Sequence, residues 1–320
     1  MIDSIADSAG HTPLVRIDRL ARHSGCVATV AVKCEHLNLA GSHKIRGLLG
    51  MVDAAERRGD LTPQSRQTLL LATGGNLGKA ATMVAAVRGY RVVLVIPDNY
   101  SRAKIDFLRA CGATVVLATH VPGGNAHGQL ALRLADEHPD WVLINQFSDL
   151  ANPIAHRETA REILRQTEDR RIDVFVAGVG SAGHMMGIAP ALKEAFPAIR
   201  VLGVQPEACD IERGVFSAHH LQGLAVDAIP PLLDPDLVDD WIGVGYEEAI
   251  AVLRGLLGRE GLAVGLSSAA VVAAALRVAM PMPATSTVVT MLYDNLVDYP
   301  ELFPPLAAPH GRSVDVVSHR

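Results

Sequence analysis

The stretch Asp173-VFVAGVGSAGHMM-Gly187 divides into three parts. Val174 to Ala177 form a short apolar run without a charge, as in a strand buried on both faces. Glycines then punctuate the chain at Gly178, Gly180 and Gly183, and a helical apolar pattern follows from Met185 to Ala195. Strand, small-residue turn and helix together make half of a βα crossover. Outward from this unit the same alternation recurs. Strands are predicted at Val27–Val32, Thr68–Leu71, Arg91–Ile96, Ala113–Leu117, Trp141–Ile144, Ile199–Val204 and Thr287–Leu292. Helices are predicted at Leu77–Arg88, Ser101–Ala110, Gly128–Glu137, Pro153–Gln166 and Tyr246–Arg259. The predicted fold class is α/β, with mainly parallel sheets flanked by helices. The strands are too many for one comfortable sheet, so two doubly wound units are expected. The smaller, mobile and on the substrate side, spans residues 41–147. The larger combines 1–40 with 148–308, and residues 309–320 form a flexible tail without apolar periodicity.

Composition narrows the function. In 320 residues, 49% are hydrophobic and 20% charged, enough to bury a core without staples. A net charge of −5 supplies no basic field for nucleic acid, and no Lys/Arg run marks a membrane surface. Cys26, Cys34, Cys111 and Cys209 are scattered, with no CxxC pair and no zinc spacing. That reads as reduced thiols, no metal site and a cytoplasmic chain. The N-terminal MIDSIADSAG carries acid where a signal peptide carries base. Leu253 to Met280 is the most apolar region, but Arg254, Arg259, Glu260 and Arg277 interrupt it too often for a bilayer span.

Two further turns resemble the first. In LLLATGGNLGKA the turn is Thr73, Gly74, Gly75 and Asn76; in GLAVGLSSAAVVAA, Ser267 and Ser268 open a helix. Each hydroxyl or amide has a local reading as a helix cap. The alternative for Thr73 to Asn76 is a carboxylate or small-anion site, made by exposed backbone N–H groups with no acid nearby. GxGxxG at Gly178, Gly180 and Gly183, with Glu207 beyond the next strand, fits a dinucleotide, another phosphate, or a tight βα turn alone. Finally, AGSHKIRGLLG places Lys44 at the mouth of a helix with no acidic residue three or four positions away.

In this order, the lysine after Gly-Ser, the Asn-containing glycine turn, GVGxxG and the late G-x-S-S resemble the fold-type II pyridoxal-phosphate enzymes. The closest likeness is to cysteine synthase (O-acetylserine or O-phosphoserine sulfhydrylase) and cystathionine β-synthase, from about Thr12 to Phe303. HTPLVRI, KCEHLNLAGSHKIR, INQFSDLANPIAHRETAREI and EGLAVGLSSAAVV support it. The resemblance implies pyridoxal 5′-phosphate as cofactor and a homodimer. Lys44 would be the Schiff-base lysine and α-proton base. Asn76 would meet the ring hydroxyl, Gly180, Ser181, Ala182, Gly183 and His184 the phosphate, and Ser267 the pyridine nitrogen. Thr73, Gly74, Gly75, Asn76, Leu77 and Gln146 would face the substrate. A hydroxyl at the ring nitrogen makes a weaker electron sink than a carboxylate would, favouring loss of a β-leaving group to an aminoacrylate that a small nucleophile then attacks.

The chain also departs from that pattern. Lys-Asp-Arg becomes KIRG, as in serine/threonine dehydratases. T-S-G-N-T becomes T-G-G-N-L, so Gly74 and Leu77 remove two hydroxyls. His184 replaces a small hydroxyl residue, PDS becomes Tyr293-Asp-Asn295, and His43 precedes the lysine. His43 reads as a core or solvated histidine, or as a group that handles a proton in the site. The expected function is β-substitution on an activated serine with an altered substrate or nucleophile. Dehydratase-type α,β-elimination and a catalytically weakened partner protein are the alternatives.

Overall fold

The structure, a computed structural model, describes residues 1–73, 75–119, 125–168, 170–226, 228–299 and 302. Gly74 and the expected 309–320 tail lie outside them. The strands are β1 (Leu14–Arg16), β2 (Thr29–Lys33), β3 (Thr68–Ala72), β4 (Arg91–Pro97), β5 (Thr114–Ala118), β6 (Trp141–Leu143), β7 (Val174–Gly178), β8 (Arg200–Pro206), β9 (Asp240–Val244) and β10 (Thr287–Met291). The α-helices are α1 (Asp18–His23), α2 (Lys44–Arg58), α3 (Asn76–Arg88), α4 (Arg102–Ala110), α5 (Ala126–Glu137), α6 (Ala151–Gln166), α7 (Gly183–Ala195), α8 (Tyr246–Gly255) and α9 (Leu266–Ala279).

Two sheets form, in the orders β5-β4-β3-β6 and β1-β2-β10-β7-β8-β9. Among the described residues, these strands all pair in parallel except β1 with β2. The α/β class and the two-sheet division therefore match the sequence reading. β1 and β9 were not predicted, and both are edge strands. β1 has three residues and faces solvent on much of its surface, and β9 is only half-buried. Neither needs the apolar run that marks β7 or β10, where every residue is buried. Buried small residues line α9 from Ser267 to Ala275, so it packs closely on β7 and β10.

Glycines on two helices bring the separated motifs together. α6 packs between α2 and α7. A Cβ at Gly47 of α2 would lie 2.2 Å from Asn152 Oδ1, and one at Gly187 of α7 would lie 2.2 Å from the Pro153 carbonyl oxygen. Both contacts require the bare backbone. Close packing against one helix thus sets the N-terminus of α2 beside that of α7.

A buried polar network anchors α2. Arg46 bonds Glu35 through Nε and Nη2 and Glu162 through Nη1 and Nη2, each at 2.8 Å. Lys33 Nζ donates to Glu162 at 2.6 Å, and Thr12 Oγ1 to Glu35 at 2.6 Å. Burial alone would raise the Glu162 carboxyl, yet the hydrogen bonds from Arg46 and Lys33 bring it down to about 2.

Candidate active site

Lys44 is the first residue of α2, and the Ser42 hydroxyl accepts its backbone N–H at 3.1 Å. Its amine makes no hydrogen bond or ion pair among the described residues. Burial lowers its pKa to about 8, against the pull of the Asp294 carboxylate. The same pocket is lined by Leu77, Gln146, Ser181 and His184, so five of the sequence-predicted residues meet there. Gln146 Oε1 is buried and has no hydrogen-bond partner.

The glycine turn after β7 reaches α7 through Ala182, whose φ of 63° is left-handed. The backbone N–H groups from Ser181 to Met185 find no acceptor among the described residues, and neither does the Ser181 hydroxyl. Unpaired donors at the start of a helix form an anion cradle. Gly180 and Gly183 also have a packing reason to be glycine. A Cβ would stand 2.3 Å from the Gly223 carbonyl oxygen in the first case and 2.3 Å from Asn152 Nδ2 in the second.

The cap readings of the polar residues do not hold. α3 is capped by Gly75, and the Asn76 amide donates instead to Asp294 Oδ2 at 2.6 Å. Thr73 Oγ1 accepts the Gly75 N–H in a local 3.4 Å contact. α9 starts from Gly265, leaving the buried Ser267 hydroxyl without a partner among the described residues. The adjacent Ser268 hydroxyl is used structurally, accepting the Tyr293 N–H at 2.8 Å.

Sequence reasoning gave no role to Asp294, Tyr299 or His156. Tyr299 also donates to Asp294 Oδ2, while Asp294 Oδ1 is buried without a partner, and burial raises this carboxyl. Ring contacts join His43, His156 and His184, with centroids 5.2–6.1 Å apart. Burial, then the charge of Lys44, lowers His184 to about 3; burial also keeps His43 and His156 neutral. Among the described residues, no three His, Cys, Asp or Glu side chains are placed to hold a metal ion. The NPxxH segment and the YDN departure were visible signals, but not that residues 43, 156, 184 and 293 meet.

Residues 5–294 match the family described as pyridoxal-phosphate dependent enzyme, and the chain belongs to it. Its cofactor is pyridoxal phosphate, and the residues present fit that group: an unpaired lysine amine, a row of unpaired N–H groups and an unpaired buried hydroxyl. The chain is 38% identical over 297 residues to O-ureido-L-serine synthase of Streptomyces lavendulae, covering 92% of this chain and 90% of that protein. The crystal structure of O-ureido-L-serine synthase superposes with a TM-score of 0.91 at 37% identity, covering 96% of this chain and 97% of that one. Mouse (Mus musculus) cystathionine beta-synthase is 34% identical over 313 residues, 95% of this chain. The chain spans about half of that enzyme's length, 55%. A solved O-acetylserine dependent cystathionine beta-synthase from Helicobacter pylori has a TM-score of 0.85 at 32% identity, covering 93% and 97% of the two chains.

Proposed function

We infer that the protein replaces the β-substituent of an activated serine, of O-acetyl or O-phospho type, with a small nucleophile to give a substituted alanine. The observation that carries this reading is Lys44: a half-buried amine with no partner among the described residues, a pKa lowered to about 8 by desolvation, and the anion cradle and Gln146 around the same pocket. When bound, pyridoxal phosphate supplies an electron sink for the substrate's α-carbon. The N–H groups from Ser181 to Met185 would hold its phosphate, and Asn76 would meet its ring hydroxyl. Ser267 offers the ring nitrogen a neutral hydroxyl. Lys44 Nζ removes the α-proton, and a base whose pKa sits near the working pH suits that transfer. Gln146, with the Thr73–Leu77 turn, holds the substrate's carboxylate. Leu77 offers no hydroxyl there, which supports a substrate or nucleophile other than the ordinary pair.

The names of the relatives favour replacement over elimination. O-ureido-L-serine synthase and cystathionine beta-synthase both denote products in which a group has been joined to a serine-derived carbon. We read residues 41–147 as the mobile, substrate-side unit, and the assembly as a homodimer. Free, mostly buried cysteines support a reducing, cytoplasmic setting. Among the described residues, no helix is long and apolar enough to cross a membrane.

The test measures pyruvate and substituted alanine side by side from O-acetylserine, O-phosphoserine, serine and threonine, with sulfide, thiols and hydroxylamine- or urea-type nucleophiles. The expected result is nucleophile-dependent product from an activated serine. Rapid pyruvate from free serine or threonine, indifferent to nucleophile, would move the protein to the dehydratases. No turnover at all would favour the partner-protein reading.

A further inference from the structure

Three of the departures from the resembled pattern, His43, His184 and Tyr293, are far apart in sequence and touch in space. Ring centroids are 5.0 Å apart for His43–Tyr293 and for His184–Tyr293, and 5.2 Å for His43–His184. All three side chains are buried.

The available protons fix the chemistry of this cluster. The Tyr293 phenol oxygen accepts the Gly178 N–H at 2.7 Å. Its other hydrogen-bond partner is His184 Nε2, at 3.2 Å. A phenol has one proton to donate, and a neutral imidazole has one N–H and one bare nitrogen. If Nε2 carried the proton, the phenol would receive two donors and its own proton would have no acceptor in a buried place, which is costly. Nε2 is therefore the acceptor, and the proton of His184 lies on Nδ1. That Nδ1–H makes no hydrogen bond among the described residues. His184 is the second residue of α7, inside the run of unpaired backbone N–H groups. His43 is held separately: its ring Nδ1 and its backbone N–H lie 3.3 and 3.0 Å from the Tyr293 carbonyl oxygen.

We propose that Tyr293 is a positioning residue that locks His184 as its Nδ1–H tautomer, and that this N–H donates to the cofactor phosphate as a neutral side-chain donor. The proposal rests on the phosphate lying at the Ser181–Met185 turn. It explains why His184 and Tyr293 depart from the resembled pattern together: the longer side chain needs its proton placed. A neutral donor adds a hydrogen bond to the phosphate without setting a second cation beside Lys44. The groups facing His184 are Lys44, His43, His156 and Tyr293.

Nitrogen-15 NMR of histidine-labelled holoenzyme tests the tautomer, with His184→Asn assigning the resonance. Phosphorus-31 NMR of the bound cofactor and its dissociation constant test the donor. The expected wild-type signature is a protonated Nδ1 and a bare Nε2, unchanged between pH 6 and 8. Tyr293→Phe should move that signature toward a tautomer mixture. Both Tyr293→Phe and His184→Asn should shift the phosphorus resonance and weaken cofactor binding on the order of tenfold, the loss of one hydrogen bond to a charged group. His184→Thr, which restores a short hydroxyl independent of Tyr293, should recover most of the affinity. A wild-type Nε2–H signature, or one unmoved by Tyr293→Phe, overturns the lock. A phosphorus resonance indifferent to His184→Asn overturns the donor. If Tyr293→Phe fails to fold, the wild-type tautomer and the His184 variants still decide both points. Absence of any bound phosphorus signal in the wild type would instead fault the placement of the cofactor.

Discussion

Lys44 and Arg46 are two residues apart on α2, yet their surroundings are opposite. Around Arg46 each charge has an answer: Glu35, Glu162, Lys33 and Thr12 exchange hydrogen bonds of 2.6–2.8 Å in a buried interior. Around Lys44 the amine, the Ser181 hydroxyl, Gln146 Oε1 and a run of backbone N–H groups have no partner among the described residues, and neither does the Ser267 hydroxyl at the start of α9. Buried polar groups are normally paired, and an unpaired set implies a ligand that pairs them. The satisfied cluster builds the fold, and the unsatisfied one is where the proposed function seats the cofactor and substrate.

The contrast breaks most sharply under substitution. Lys44→Ala should lower β-substitution by about 10²–10⁴-fold or more. It should leave the urea-unfolding midpoint of the cofactor-free protein nearly unchanged, because no protein partner is lost. Arg46→Met should do the reverse to stability, with a loss of about 3–5 kcal/mol in urea unfolding, since it leaves two buried carboxylates without their main counter-charge. If Lys44→Ala destabilised the cofactor-free chain as much as Arg46→Met, the division between the clusters would fail.

Acid sharpens the same comparison. The Glu162 carboxyl sits near 2 in the folded protein against an ordinary 4.5. Its contribution to stability is complete above about 4.5 and is lost as pH falls toward 2. Urea midpoints measured from pH 6 down to pH 2.5 should fall in the wild type, and Glu162→Gln should flatten that decline. Lys44 predicts the alkaline counterpart. Cofactor uptake by the stripped protein needs the neutral amine, so its rate should rise through about pH 8 rather than near 10.5. Stopped-flow absorbance would record it. The smallest expected effect is at Leu77→Thr, which offers the substrate carboxylate one more hydrogen bond. KM for O-acetylserine should fall by roughly tenfold, with little change in stability.

Much of this was legible in the sequence, for physical reasons that differ by region. β7 and β10 carry uninterrupted apolar runs because both faces are buried, so they could be read directly. β1 and β9 hold the sheet's edges with half-exposed residues and leave no such run. Lys44, Asn76 and Ser267 stand out in the sequence because each lies at the start of a helix after a small-residue turn, and the roles expected of them come from the resemblance. What the sequence concealed was pairing across it. Asn76 meets Asp294 across 218 residues, and His43 meets Tyr293 across 250. No local pattern records such contacts.

The lysine left unpaired should be the one that joins the cofactor. Three lysines give a direct choice: Lys33 is tied to Glu162 at 2.6 Å, Lys79 to Asp298 at 2.6 Å, and Lys44 to nothing among the described residues. Borohydride reduction of the purified holoenzyme, followed by digestion and mass spectrometry, identifies the nitrogen joined to pyridoxal phosphate. The phosphopyridoxyl group is expected on Lys44 alone. Finding it on Lys33 or Lys79, with Lys44 unmodified, would contradict it.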